Sequence, residues 1–279
     1  VFDFAKDPIE AYIDGEWVTA KGTTLGADNG IGVAAAMAIL ADKSLVHPPL
    51  EVLVTVDEET GMYGAFALEG GLLQGKTLLN LDSETEGELY VGCAGGVDTT
   101  AKFAYTPVEV EEGDVAVKVS VTGCKGGHSG CDIHLQRANA NKLLFRFLKD
   151  AVANYEARLA YVEGGSLRNA IPREAAAIIT IPAEGIDEIM DLVAEYEDLF
   201  IAEYDGVEDN IQLTATEVEC PATELPEDVQ DFLIHAITAC PHGVYRVIPE
   251  MPDVVETSNN LAMLVTEDNC VTVMCLTRS

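Results

Sequence analysis

Apolar residues run in two different rhythms along this chain. In the first ninety or so positions they come as unbroken runs. Val52-Leu53-Val54-Thr55-Val56 is β-branched and continuous, and it stops at Asp57-Glu58-Glu59-Thr60-Gly61, which predicts a buried strand over 50–56 ending in a turn. Thr77-Leu78-Leu79-Asn80-Leu81-Asp82 repeats the device, a short apolar strand ending on an acid. Val33-Ala34-Ala35-Ala36-Met37-Ala38-Ile39-Leu40 is small and apolar with no polar periodicity, so it predicts a buried helix over about 29–43 with Asp28-Asn29 at its cap. A helix over about 62–73 and a strand over 88–93 complete an alternation of the βαβ kind, and hence a mostly parallel sheet with helices. Ahead of these, Tyr12-Ile13-Asp14-Gly15-Glu16-Trp17-Val18 reads as a hairpin turning at Asp14-Gly15.

Past Gly92-Cys93-Ala94-Gly95-Gly96 the rhythm becomes one of alternation and amphipathic helices. Val115 to Val121 alternates like a half-exposed strand, followed by the loop Gly123 to Gly130 and a helix from about Arg137 to Tyr155. A strand from Ala175 to Ile181 and a helix from about Ile186 to Tyr204 come next. The remainder resembles a worn repeat of this unit, with Asn210 to Val218 as its strand and Pro226 to Ala239 as its helix. Ser258-Asn259-Asn260-Leu261-Ala262-Met263 then echoes Ser166-Leu167-Arg168-Asn169-Ala170-Ile171, placing Asn260 91 residues after Asn169. The expected class is α/β: a catalytic-type domain over 1–96, then an α+β domain over 97–279 in two similar halves, about 97–205 and 206–279.

Composition narrows the function. A hydrophobic content of 48% excludes a disordered chain, and no apolar run approaches the ~20 residues of a membrane span. A formal charge of −32 argues against nucleic acid, whose phosphates it would repel. Seven cysteines without a C-x-x-C pair or a leader predict reduced thiols in a cytoplasmic protein. Cys124, His128 and Cys131 lack a fourth ligand for a zinc knuckle, and Gly26, Gly30 and Gly32 do not spell a dinucleotide loop.

The chemistry sits at strand ends. Asp28, Glu58, Glu59 and Asp82 are carboxylates with no Lys or Arg adjacent in sequence, brought by the expected topology to one edge of a sheet. A lone acidic triplet reads as a solvated turn. Several such acids converging without a counter-cation is what a divalent-metal site requires.

These stretches, Gly26-Ala27-Asp28-Asn29-Gly30-Ile31-Gly32, Asp57-Glu58-Glu59-Thr60-Gly61-Met62, Leu81-Asp82-Ser83-Glu84 and Gly126-Gly127-His128-Ser129-Gly130, resemble the di-zinc M20 metallopeptidases, in family order and over essentially the whole chain. The resemblance is strongest to the branch that cleaves Xaa-His dipeptides such as carnosine. It implies two Zn²⁺ ions, replaceable by Mn²⁺ or Co²⁺, with Asp28 bridging them and Glu59 and Asp82 holding one each. It also implies Glu58 as general base, His128 as oxyanion stabiliser from a lid domain, and Asn169 and Arg278 as substrate holders. Arg278 would fork onto a free C-terminal carboxylate. The implied partners are a small peptide substrate and a second copy of the chain.

Two features depart from that pattern. The family's upstream His-x-Asp and its late C-terminal His ligand have no counterpart here, so the expectation is an internal fragment that alone binds metal poorly and is inactive. Two other readings stand beside the dipeptidase: another M20 amidohydrolase (tripeptidase, carboxypeptidase or deacylase), and a non-catalytic association domain.

Overall fold

The computed structural model describes residues 2–58, 61–83 and 85–279 of the chain. It falls into two compact units, Val1–Gly92 and Cys93–Ser279. No helix among the described residues is long and apolar enough to cross a membrane.

In the first unit, β1 (Ala11–Asp14) and β2 (Trp17–Ala20) form the expected hairpin, with Asp14 opposite Trp17 and Gly15 at φ +62° in the turn. Helix α1 (Gly30–Ala41) starts where the sequence places it, and the Asn29 side chain accepts the Gly32 amide at 2.9 Å. This is an N-cap satisfying one of the orphan donors of the first turn. The helix expected over 62–73 is a single turn, α2 (Tyr63–Phe66). Gly61, Gly64 and the pair Gly70-Gly71 dilute helix propensity throughout that window, and Met62 stands in the left-handed region at φ 55°.

The molecule is sheet-rich with helices, as the α/β class requires, but its ladders are not parallel. All pairings among the described residues are antiparallel, and 50–56, 77–82 and 88–93 carry no ladder. A parallel strand draws every main-chain hydrogen bond from neighbours brought up by crossovers. The described bonds of this region are of other kinds: Gly64 N donates to the Val56 carbonyl at 3.1 Å, and the Glu51 carboxylate accepts the amides of Gln74 and Gly75.

The second unit begins with β3 (Gly96–Ala104), β4 (Val108–Glu109), β5 (Asp114–Thr122) and β6 (Gly127–His128). Helix α3 (Ala140–Asn154), β7 (Arg158–Gly164), β8 (Ala170–Ile171), β9 (Ala175–Pro182) and helix α4 (Ile186–Glu203) follow. The chain closes with β10 (Gln212–Val218), β11 (Thr223–Glu224), α5 (Glu227–Ala239), β12 (Gly243–Ile248), β13 (Met251–Glu267) and β14 (Cys270–Arg278). The large sheet runs β10-β5-β9-β7-β13-β14-β3, with β12 also on β13.

The strands do not sort into two sequence halves divided near residue 205. β10 pairs with β5, and β3 pairs with β14 over its full length, so each half lends its outer strand to the other. The two groups join edge to edge through β7 and β13, where Leu264 faces Gly164. The exchange covers edges that two separate sheets would leave open.

Period-2 alternation decides which face is covered. Val117, Val119 and Val121 of β5 and Ala177, Ile179 and Ile181 of β9 point to one face and are fully buried. Against them pack Leu144, Phe147 and Leu148 of α3, Ile189 and Phe200 of α4, and Leu233 and Ile237 of α5. The buried carboxamide of Asn139 caps α3 through the Lys142 amide and also donates to the Leu261 carbonyl at 2.9 Å. That second bond ties the helix start to β13. The opposite face is covered at Ala116 and Thr180 but exposed at Lys118 and Glu163.

Candidate functional site

The glycine-flanked loop after β5 is held from several sides. His128 pairs with Ala170 and Gly127 with Ile171, a two-residue ladder between β6 and β8. The Asp132 carboxylate accepts the His128 amide at 2.9 Å and lies 3.6 Å from Arg137, whose guanidinium donates to the Gly126 carbonyl at 2.6 Å. At Gly127, with φ +140°, a Cβ would run into both the Asp132 and Arg137 side chains. Only glycine lets the strand pass so close to that pair.

The imidazole of His128 is oriented by the turn it caps. Its Nδ1 lies 3.2 Å from the Gly130 amide and 3.1 Å from the Cys131 amide, and both can only donate. Nδ1 is therefore the acceptor, which puts the proton of the neutral ring on Nε2. The ring thus caps the turn through Nδ1 and keeps Nε2 as its donor.

Two further residues singled out by sequence meet this loop. The Ser129 amide donates to the Asn169 carbonyl at 2.7 Å. A Cβ on Gly130 would touch the His128 ring at 3.1 Å and the Arg278 guanidinium carbon at 3.3 Å, so both side chains converge on this glycine. Arg278 is half-buried at the end of β14, and its Nε is buried without a hydrogen-bond partner among the described residues. A surface charge would be hydrated there; a buried unsatisfied donor marks a place where an acceptor can complete the site. Ser129 Oγ and Asn260 Oδ1 are buried and unpartnered as well.

A cavity of about 1020 Å³ opens on the face of the sheet away from the helices and reaches His128 and Asn169. Lys118, Tyr161, Glu163 and Arg173 also line it, beside apolar side chains such as Leu167, Ile171 and Leu264. Asp132 and Arg137 escaped the sequence reading; an acid four residues after His128 was the available signal.

The acidic set lies in the other unit. Asp28, Glu58 and Asp82 are exposed, while Glu59, expected to be a ligand, lies outside the described residues. Their donor chemistry, carboxylate oxygen throughout, fits a hard or borderline divalent cation. No three His, Cys, Asp or Glu side chains gather as a metal site among the described residues.

Comparison with known proteins gives these residues a context. Residues 119–208 match the M20 peptidase dimerisation domain, a span holding the His128 loop and Asn169. The whole chain is 48% identical to the cytosol non-specific dipeptidase of Escherichia coli, over 58% of that protein's length. It is 51% identical to the aminoacylhistidine dipeptidase of Vibrio alginolyticus, whose crystal structure superposes on all of the chain and 57% of its own length with a TM-score of 0.77. The chain thus spans somewhat more than half the length of the dipeptidases it matches. Residues 119–208 thus match an M20-type peptidase dimerisation domain, within a chain that is similar over its whole length to these two dipeptidases.

Proposed function

We propose that this chain serves a metal-dependent dipeptidase acting on Xaa-His dipeptides such as carnosine, in the cytosol and as a homodimer. The observation that carries the reading is the meeting of His128 and Arg278 at Gly130, with Asn169 held to the same loop, in a chain so similar to two dipeptidases. A dipeptide with a free carboxylate needs a cationic fork at one end and a donor for the carbonyl being attacked. Arg278 supplies the first chemistry, and the Nε2 proton of His128 supplies the second. Asn169 adds a polar group to the wall on which the peptide would lie.

Asp28, Glu59 and Asp82 would hold two divalent ions, zinc first and manganese or cobalt as substitutes. Such ions polarise a carbonyl and acidify water when bound. Glu58 would remain uncoordinated and act as the base that receives a proton and returns it to the departing amine. The seven thiols are all free, which suits a reducing compartment.

The test is hydrolysis of carnosine and of a dipeptide lacking histidine by this chain and by the chain extended at both ends to the length of its relatives, with zinc counted per chain and the extended protein deciding the outcome. Glu58→Ala should lower kcat by 100-fold or more with zinc retained, whereas Arg278→Ala should raise KM about 100-fold with a smaller change in kcat. Mixing Glu58→Ala with His128→Ala protein reads whether the two act across a dimer, since recovered turnover requires complementation. Hydrolysis confined to longer peptides or acylated amino acids would move the assignment to another M20 amidohydrolase. Failure to bind zinc and to cleave any amide would leave the association domain as the reading.

A further inference from the structure

Asn169, taken above as a substrate contact, sits on an exposed loop, and loops do not hold a side chain in place unaided. Something must fix it relative to His128. In this structure the fixing group is a side chain that the sequence marked only as an echo of Asn169 itself.

We propose that Asn260 is a positioning residue that clamps the Asn169 peptide and so sets the spacing between Asn169 and His128. Asn260 is 1% exposed on β13, in the body of the large sheet. Its Nδ2 donates to the carbonyls of Arg168 at 3.0 Å and Ala170 at 2.8 Å, the residues on either side of Asn169. The Asn169 carbonyl between them receives the Ser129 amide at 2.7 Å. Three consecutive carbonyls are thereby held, two by one buried carboxamide and one by the His128 loop. Ala170 is in addition the ladder partner of His128. The orientation of the amide is not arbitrary, because two carbonyl acceptors can be met only by its NH₂ group.

The rest of the loop root agrees. A β-bulge interrupts the β13–β14 ladder between Leu261 and Met263, directly after Asn260. Gly165, at φ +67°, lies so close to the bulged strand that a Cβ would collide with the Ala262 carbonyl oxygen. Bulges re-aim side chains beside sites, and here one end of the 165–170 loop packs on the bulge while Asn260 grips the other. Asn260 Oδ1 remains a buried acceptor without a partner among the described residues. A packing-only role would leave no reason to bury an amide half of which is unsatisfied.

The inference rests on the dipeptidase reading for its consequence, and two measurements separate the failures. The first is a double-mutant cycle in the dipeptide-cleaving protein. Asn169→Ala and Asn260→Ala should each raise KM about tenfold or more, and the double variant should be within threefold of the worse single, because Asn260 acts only through Asn169. Asn260→Asp keeps the volume but sets a carboxylate against two carbonyls, so it should be at least as damaging as alanine. Multiplying effects in the double variant, or Asn260→Asp with unchanged KM, would overturn the proposal. The second measurement needs no activity: amide exchange at Ser129 should quicken at least tenfold in Asn260→Ala while the amides of α3 keep their protection. Loss of protection throughout the unit, or none at Ser129, would reduce Asn260 to a structural residue. If the wild-type protein cleaves no dipeptide, the functional reading falls, and Ser129 exchange alone still decides whether the clamp exists.

Discussion

Two valine-rich runs in this molecule have opposite fates. Val52-Leu53-Val54-Thr55-Val56 in the first unit and Val115-Ala116-Val117-Lys118-Val119-Ser120-Val121 in the second both read as strands. Val54 is 63% exposed and has no ladder, whereas Val117 and Val119 are fully buried between two partner strands and a helical layer. The apolar content is, if anything, higher in the first run. The alternating run carries its own instruction about which face to bury, and β9 and β10 come from the same unit to pair with it. A run apolar on both faces asks for cover on both, which no described residue of 1–92 provides. Burial of apolar surface, not its presence, stabilises a segment.

Breaking this contrast should cost most in the second unit. Phe147 is fully buried where α3 meets the sheet, with Tyr196 edge-on at 5.9 Å. Phe147→Ala should lower unfolding free energy by about 3–5 kcal/mol, read by chemical denaturation of the 93–279 transition.

A smaller effect follows from acid. His242 is held well below its usual range, to about 4, first by burial and then by the Lys142 charge. Its folded pKa lies below the unfolded value of 6.5, so the folded state binds fewer protons between them. Stability should fall as pH drops from about 6.5 toward 4, by at most about 3 kcal/mol, and His242→Asn should flatten that part of the profile.

Next is the α3 cap. Asn139→Ala removes a bond to the Lys142 amide and strands the Leu261 carbonyl, so it should cost about 2 kcal/mol in the same denaturation experiment. The smallest change sharpens the comparison from the other side: Val54→Ala should shift stability by less than about 0.5 kcal/mol. A loss of several kcal/mol at Val54 would mean that the first run is buried in solution after all.

Much of the second unit was legible in advance because its signals are local. Alternation over 115–121 and 175–181 and the helix periods each depend on residues within a few positions of one another. Of the site, His128, Asn169 and Arg278 were named from motif resemblance, and the structure brings His128 and Arg278 together at Gly130, with Asn169 bonded to the neighbouring Ser129. What escaped was the support around them. Asp132, Arg137 and Asn260 act through main-chain atoms, the first two within the 126–137 loop and Asn260 from a strand some ninety residues on, and a side chain that bonds a backbone leaves little residue-type pattern in the segment it holds.

Sequence by itself determined which residues are apolar, where helices can start, and which polar side chains carry chemistry, because these follow from side-chain identity and short-range sterics. Only the tertiary structure decided that β3 and β10 exchange between halves, that His128 Nδ1 is occupied and Nε2 is the donor, and that Asn260 grips the peptide of Asn169. The strand exchange and the Asn260 grip rest on pairings between residues far apart in sequence, as far as the 182 positions that separate Gly96 from Arg278. Such pairings are chosen by the free energy of closing the whole sheet, which no short stretch of chain contains.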